Sequence, residues 1–307
     1  SYEANYSGYL ELKAAREESA IASERKRQSI LRKELEWVKR GARARTTKQK
    51  ARLERYEELK NQTGPAMDGK VALGSVASRL GKTTVELSSI CKSYGEKKLI
   101  ENFTYIFLKD DRVGFIGSNG SGKTTLMKII TGACEPDNGT VTIGQTVKIG
   151  YYAQEIGDAE MPGNQKVIDY IKDVAEYVQT ENGSISASQM LERFLFEGKD
   201  QYGLIGKLSG GEKRRLYLLR VLMEAPNVLI LDEPTNDLDI QTLTILEDYL
   251  DSFDGIVITV SHDRYFLDRV ARRIFAFEDD GVIWQYEGGY SDYQIAYAIR
   301  HPEESIA

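Results

Sequence analysis

Cysteine, histidine, proline and long apolar runs are all scarce in this chain of 307 residues, which has 2 cysteines, 2 histidines and 6 prolines. Cys91 and Cys134 form neither a disulfide framework nor a metal-ligand cluster, which suits a reducing compartment and sets the expectation of a cytoplasmic protein. His262 and His301 are too few for a histidine metal site. No apolar run approaches the roughly 20 residues that span a bilayer, and the first residues carry no signal-peptide pattern, so no membrane insertion is expected. The net charge of −6 argues, as an average, against a nucleic-acid partner.

That average hides an asymmetry. Between Glu24 and Arg55 there are 13 Lys and Arg against 4 Asp and Glu, a local net charge of +9, so the rest of the chain carries −15. The basic part belongs to residues 9–62, which lack proline and are rich in Ala, Glu, Lys, Arg and Leu, with one interruption at Gly41. Leu31, Leu35 and Val38 make a thin apolar stripe before that glycine, and Leu53, Tyr56 and Leu59 make another after it. Two thin stripes can zip into an antiparallel helical hairpin but cannot form a globular core. An arm of about 30 residues would reach roughly 45 Å.

A glycine-rich connection follows over residues 63–82, and a globular domain is expected over 83–300, with a tail at 301–307. In that domain "TVELSSI", "RVGFIG", "NVLILD" and "GIVITV" read as buried strands alternating with amphipathic helices. Such alternation indicates an α/β fold around a mostly parallel sheet. Residues 163–206 interrupt the alternation and read as a helical subdomain.

Straight after the strand "RVGFI" comes "GSNGSGKTT", which places Gly117, Ser118, Asn119, Gly120, Ser121, Gly122, Lys123, Thr124 and Thr125 between a strand and a helix. Glycines there let the backbone wrap a polyphosphate with its N–H groups inward. The helix N-terminus adds its positive end, Lys123 reaches the β- and γ-phosphates, and the Thr124 hydroxyl ligates Mg²⁺. The tetrapeptide "GKTT" recurs at Gly81 to Thr84, but the position five before Gly81 is Val76 and no apolar strand precedes it. Without a glycine cradle, that copy cannot wrap phosphates. In "NVLILDEPTNDLD" a buried strand ends at Asp232, placed to hold Mg²⁺, and Glu233 follows, where a carboxylate can polarise an attacking water. "LSGGEKRR" sets a serine and two glycines at a helix start, a second anion-binding terminus. His262 lies just past the strand "GIVITV".

The phosphate loop, "YYAQ", "LSGGE", "LDEP", "NDLD" and "SHD", in this order over residues 84 to about 290, resemble an ATP-binding-cassette (ABC) ATPase domain. The resemblance implies a P-loop NTPase fold with a mostly parallel core sheet, an antiparallel β part and a helical subdomain. It implies ATP and Mg²⁺ as ligands, and a head-to-tail sandwich in which the phosphate loop of one domain and the LSGGE of another clamp one ATP. Carried over, Gln154 would sense Mg²⁺ and the attacking water, and His262 would contact the γ-phosphate. Ser209, Gly210 and Gly211, with Glu212, would bind the ATP held by the partner domain. Asp239 would lie in the loop between domains, and Tyr94 of "KSYG" would stack on adenine. Ser118 stands where the family usually has proline and Thr124 where serine is commoner, without harm to the chemistry.

"EPTNDLD" and "SHDRYFLD" resemble the ABC-F group, in which two ABC domains share one chain with no membrane segment, joined by a charged helical hairpin. Residues 9–62 look like that linker, and "EWVKRGARARTTKQKARLERYEEL" is most similar to its Uup-type branch. The resemblance implies ribosome binding in translation, with the linker reaching toward the peptidyl-tRNA site. Charge supports the direction: Lys39, Arg40, Arg43, Arg45, Lys48 and Lys50 surround Gly41, where the hairpin would turn, with no acidic residue among them. Such a cluster fits phosphate-backbone contact with tRNA or rRNA. Trp37 beside it either stacks on a base or closes the hairpin. The alternatives are the ATP-binding subunit of a membrane transporter and a DNA-associated ABC ATPase.

"YEANYSGY" at residues 2–9 is echoed by "YEGGYSDY" at 286–293, with Tyr, Glu, Tyr, Ser and Tyr shared in register. The second copy sits where the ABC domain is expected to end. The first therefore reads as the tail of a preceding ABC domain at residues 1–8. A single domain carries half of each composite site, so weak turnover is expected unless the preceding domain, or a second copy of this chain, completes it.

Overall fold

A computed structural model of the chain describes residues 80–301, apart from 82, 158, 159, 181 and 182. The expected hairpin with its basic cluster, the residues 1–8 and the tail beyond 301 lie outside the described residues.

The described chain opens with a long antiparallel pair, β1 (Val85–Tyr94) and β2 (Lys97–Phe107), turned at Gly95. β3 (Arg112–Gly117) runs into the phosphate loop and α1 (Lys123–Ile130). β4 (Asn138–Ile143) returns to pair with β1, and β5 (Ile149–Tyr152) leads out to an insert. The insert holds α2 (Val167–Lys172), a hairpin of β6 (Tyr177–Thr180) and β7 (Gly183–Ser186), α3 (Ala187–Arg193) and α4 (Gly198–Gln201). The chain then re-enters the core through α5 (Gly210–Met223), β8 (Val228–Asp232), α6 (Pro234–Asp237), α7 (Ile240–Ser252) and β9 (Ile256–Val260). It finishes with α8 (Arg264–Val270), β10 (Arg273–Phe277), β11 (Ile283–Glu287) and α9 (Tyr290–Arg300).

Two sheets result. The larger runs β11-β10-β3-β9-β8-β5, parallel throughout except for the edge pair β10–β11. The smaller is the antiparallel β2-β1-β4. β8 and β9 are buried along their whole length, as expected of central parallel strands that read as unbroken apolar runs. The register aligns Asp232 with Val260, so both strands stop on one line, close to the end of β3 and its phosphate loop. Ligands in open parallel sheets bind beyond such carboxyl ends.

One apolar cluster joins the sheets, with Ile90, Phe103 and Phe107 from the small sheet, Phe115, Ile230, Ile258 and Phe275 from the large one, and Leu126, Met127 and Ile130 from α1. Phe275 is 2% exposed, and its ring meets Phe103 at 5.3 Å, Tyr105 at 4.9 Å and Phe115 at 6.0 Å. Phe275→Ala is expected to cost about 3–5 kcal/mol, lowering the thermal midpoint on the order of 10 °C. Calorimetry of the variant checks this, and an unchanged midpoint would mean that the two sheets do not share a core.

Gln201 ties the insert together. It is 1% exposed, and its amide donates to the carbonyls of Ser188 at 3.1 Å and Phe196 at 3.0 Å. The insert is fastened to α5 by Arg220, whose guanidinium lies 4.3 Å from the Tyr170 ring and donates to the Tyr170 carbonyl at 2.8 Å. "YEGGYSDY" falls where the edge strand β11 hands over to α9, and Asp268 takes the Ser291 N–H at 2.7 Å to start that helix. The second "GKTT" is woven into the sheet framework. Thr84 is buried with its hydroxyl donating to the Phe107 carbonyl, and the Gly81 N–H donates to Thr146 Oγ1 at 2.8 Å.

Candidate nucleotide site

The phosphate loop is shaped by glycines that no other residue could replace without displacement. Gly117 has φ 146°, and a Cβ there would lie 2.7 Å from the Phe277 carbonyl oxygen. Gly122 has φ 112°, and its Cβ would meet the Leu99 carbonyl oxygen at 2.9 Å. Positive φ with no room for a side chain excludes every L-residue in comfort. Gly122 caps α1 without any side-chain bond, so the first-turn N–H groups of that helix remain for a ligand. Lys123 is 7% exposed and folds back, its Nζ donating to the carbonyls of Gly117 and Ser118, each at 2.8 Å. Burial holds its pKa below the usual lysine value, opposed by the charges of Glu233 and Asp232.

Those carboxylates come from the end of β8. Asp232 is 1% exposed; one oxygen accepts from the Tyr151 hydroxyl at 3.2 Å, and Oδ1 is buried without a hydrogen-bond partner. Burial raises its pKa, and hydrogen bonds from Tyr151 and Thr124 hold it back. Glu233 is buried and bends the chain sharply: its φ of 52° and ψ of 51° are left-handed, a strained state for a residue with a side chain. The bend turns its carboxylate toward His262, whose backbone N–H donates to Oε2 at 3.3 Å and whose Nε2 lies 3.3 Å from Oε1. Burial pushes the Glu233 carboxyl above the usual carboxylate range, and His262 is the chief influence pulling it down.

A cleft of about 320 Å³ collects Asn119, Gly120, Gly122, Lys123, Thr124, Thr125, Gln154, Asp232, Glu233 and His262 on its lining, together with Leu99, Asn236 and Val260. Gly117 and Ser118 supply the carbonyls beneath it, and Ser121 Oγ is buried without a partner. Tyr94 does not line the cleft. It stands 58% exposed at the end of β1, its hydroxyl 3.8 Å from Cys134 Sγ and its ring 5.5 Å from Lys92 Nζ. Ser209, Gly210, Gly211 and Glu212 are not on the lining either. They form the start of α5, where Ser209 and Glu212 exchange capping hydrogen bonds, the Ser209 N–H donating to Glu212 at 2.7 Å. That hydrogen-bonding lowers the Glu212 pKa. Gly210 and Gly211 have open space where a side chain would be.

Asp239 also lies off the lining and does two things at once. Oδ1 caps α7 through the Thr242 N–H at 2.8 Å, while Oδ2 pairs with Arg215 at 3.1 Å. Arg215 sits nearly two turns along α5 from Ser209 and lies 5.0 Å from the Phe196 ring. Sequence reasoning missed Arg215, Leu99, Asn236 and Tyr151. The signal for Tyr151 was available: it lies on β5 just before Gln154, next to the strand that carries Asp232.

The chain can thus wrap an oxyanion group in backbone N–H, set a buried lysine on it, and face it with two carboxylates and a histidine. Comparison with known proteins agrees. A family model described as "ABC transporter" matches residues 100–236, and a second with the same description matches 1–72. The chain is 55% identical, over 95% of its length and 46% of the relative's, to "Uncharacterized ABC transporter ATP-binding protein YfmR" of Bacillus subtilis. It is 40% identical to "Energy-dependent translational throttle protein EttA" of Escherichia coli K12, over 95% of this chain and 53% of that one. The chain therefore spans about half the length of the curated relatives it matches. Among solved structures it is similar to an ATP binding subunit of an ABC transporter, with TM-score 0.59, 18% identity and coverage of 71% of this chain and 95% of the other. It is also similar to the dimeric cassette MJ0796 bound to ADP and Pi, with TM-score 0.53, 22% identity and coverage of 66% and 98%. Among the described residues, no helix is long and apolar enough to cross a membrane.

Proposed function

This chain belongs to the ABC-F group of the ATP-binding-cassette family, and we propose from that premise that it binds and hydrolyses ATP as half of a tandem ATPase acting on the ribosome in translation. The observation that carries the chemistry is the convergence of Lys123, Asp232, Glu233 and His262 on one cleft at the end of the parallel sheet. Lys123 and the loop N–H groups hold the β- and γ-phosphates. Glu233 takes a proton from the attacking water, and His262 keeps that carboxylate aimed and ionised. Gln154, on the lining of the cleft, positions the same water.

The site also fits Mg²⁺, because Asp232 Oδ1 is buried without a partner and the Thr124 hydroxyl lies beside that carboxyl. Asp232, Thr124 and Gln154 would hold the ion, which when bound neutralises charge on the β- and γ-oxygens. Tyr94, exposed at the end of β1 and off the cleft lining, serves as the adenine platform.

Ser209, Gly210 and Gly211 serve a nucleotide on another ABC domain, either the preceding domain of the same chain or a second copy. Their exposure, away from the cleft and with open space above the glycines, supports that reading. Glu212 acts by holding Ser209 in place, and Asp239 stands at the junction between domains. The translational role rests on the likeness to EttA and on the basic cluster at Lys39, Arg40, Arg43, Arg45, Lys48 and Lys50, which contacts tRNA or rRNA through phosphates.

The test is charge reversal in the full-length tandem protein. Lys39→Glu with Arg43→Glu and Lys48→Glu should reduce ATP-dependent co-sedimentation with ribosomes about tenfold or more and leave ribosome-free ATPase activity unchanged. Unaltered co-sedimentation would remove the RNA contact from the proposal. The name of YfmR supports a second reading, an ATP-binding subunit of a membrane transporter. Co-purification with a membrane protein in place of ribosomes would favour it.

A further inference from the structure

β2 runs alongside the phosphate loop in matched steps. Leu99 packs on Gly122, where a Cβ would lie 3.1 Å from Leu99 Cβ. Two residues earlier on the same face of the strand, Lys97 reaches Gly120, where a Cβ would lie 3.7 Å from Lys97 Nζ. The next residue, Lys98, points the other way and is neutralised by Glu101 at 3.0 Å. Lys97 is exposed, and among the described residues it has neither an ion pair nor a side-chain hydrogen bond. Lys123 is the opposite case, buried beneath the loop and already holding two of its carbonyls. The loop therefore has one cation below it and a second above its Gly120 end. The register of the β1–β2 hairpin holds the second in place, with Lys97 directly across from Tyr94.

We propose that Lys97 is a second phosphate-binding cation of this site, which contacts the terminal phosphates of a bound nucleoside di- or triphosphate across Gly120. The inference rests on the nucleotide-binding reading of the cleft and adds a ligand-contacting residue to it. An exposed ammonium with no anion of its own costs little to dehydrate partly. Its attraction to a polyphosphate is also open to salt, because solvent reaches it.

The experiment is equilibrium titration of this chain with ATP and Mg²⁺, at low and at high salt, for the wild type, Lys97→Ala, Lys97→Arg and Lys98→Ala. Lys97→Ala should bind ATP about 5- to 20-fold more weakly at low salt, with the deficit shrinking at high salt. Lys97→Arg should recover most of the affinity, and Lys98→Ala should match the wild type. Because Lys97 is exposed, the thermal midpoint of the nucleotide-free variants should not move. Wild-type affinity in Lys97→Ala, or an equal loss in Lys98→Ala, would overturn the inference while leaving the site intact. Failure of the wild type itself to bind ATP would instead overturn the reading on which the inference rests.

Discussion

Glu233→Gln should lower ATP turnover about 10²- to 10⁴-fold while leaving ATP affinity nearly unchanged, measured in the tandem protein where both halves of each site are present. The substitution keeps the size of the side chain and its hydrogen bond to the His262 N–H, but removes the lone pair that accepts a proton. The ATP-bound state should then accumulate and, under the proposed translational role, so should the ribosome-bound fraction. Turnover of the unsubstituted protein should also fall with acid in a way set by this residue. Burial raises the Glu233 pKa above its ordinary value of 4.5, so the base is lost to protonation at a higher pH than an exposed carboxylate would be. His262 is the largest influence in the other direction. Replacing it by Ala should raise that pKa further and move the acid limb of the pH profile upward. A Glu233→Gln enzyme that turns over normally would place the base elsewhere.

Lys123→Ala should weaken ATP binding about 10²-fold or more. A charge-assisted contact with a phosphate oxygen through its remaining N–H is worth about 1.5–3 kcal/mol, and the ammonium is buried where water cannot substitute for it. The buried Nζ also holds the Gly117 and Ser118 carbonyls, so the variant loses the shape of the loop as well as its charge. The matched control is Lys82→Ala in the second "GKTT", which should leave affinity unchanged. Equal loss in both variants would mean that the tetrapeptide, and not the glycine cradle, makes the site. Isothermal titration of the two variants side by side decides it.

The legibility of this protein followed burial. β3, β8 and β9 were readable because central parallel strands are unbroken apolar runs, and the residues at their ends stand where the sheet must deliver them. The phosphate loop, Asp232, Glu233 and His262 were legible for the same reason, since each follows such a strand. The half-buried strands were harder. β2, "KKLIENFTYIF", mixes charge and apolar residues with irregular pairing to β1, and neither its extent nor the part played by Leu99 and Lys97 shows in its periodicity. The hairpin of β6 and β7 in the otherwise helical insert is four residues a side, too short to register against the helices around it. Arg215 could not be singled out from "EKRR", because four charged residues in a row look alike until a helix chooses which one faces Asp239.

The bend at Glu233 has a consequence for how sequences of this kind can change. A left-handed residue with a side chain costs roughly 1–2 kcal/mol, and a buried carboxylate adds to that cost. Glycine at the same place would relax the backbone and remove the buried charge together. The domain is therefore less durable with this buried glutamate than it would be without it. If Glu233 is the base proposed above, drift toward a sturdier fold would silence the enzyme at this one position, and selection for turnover would hold the glutamate there against it.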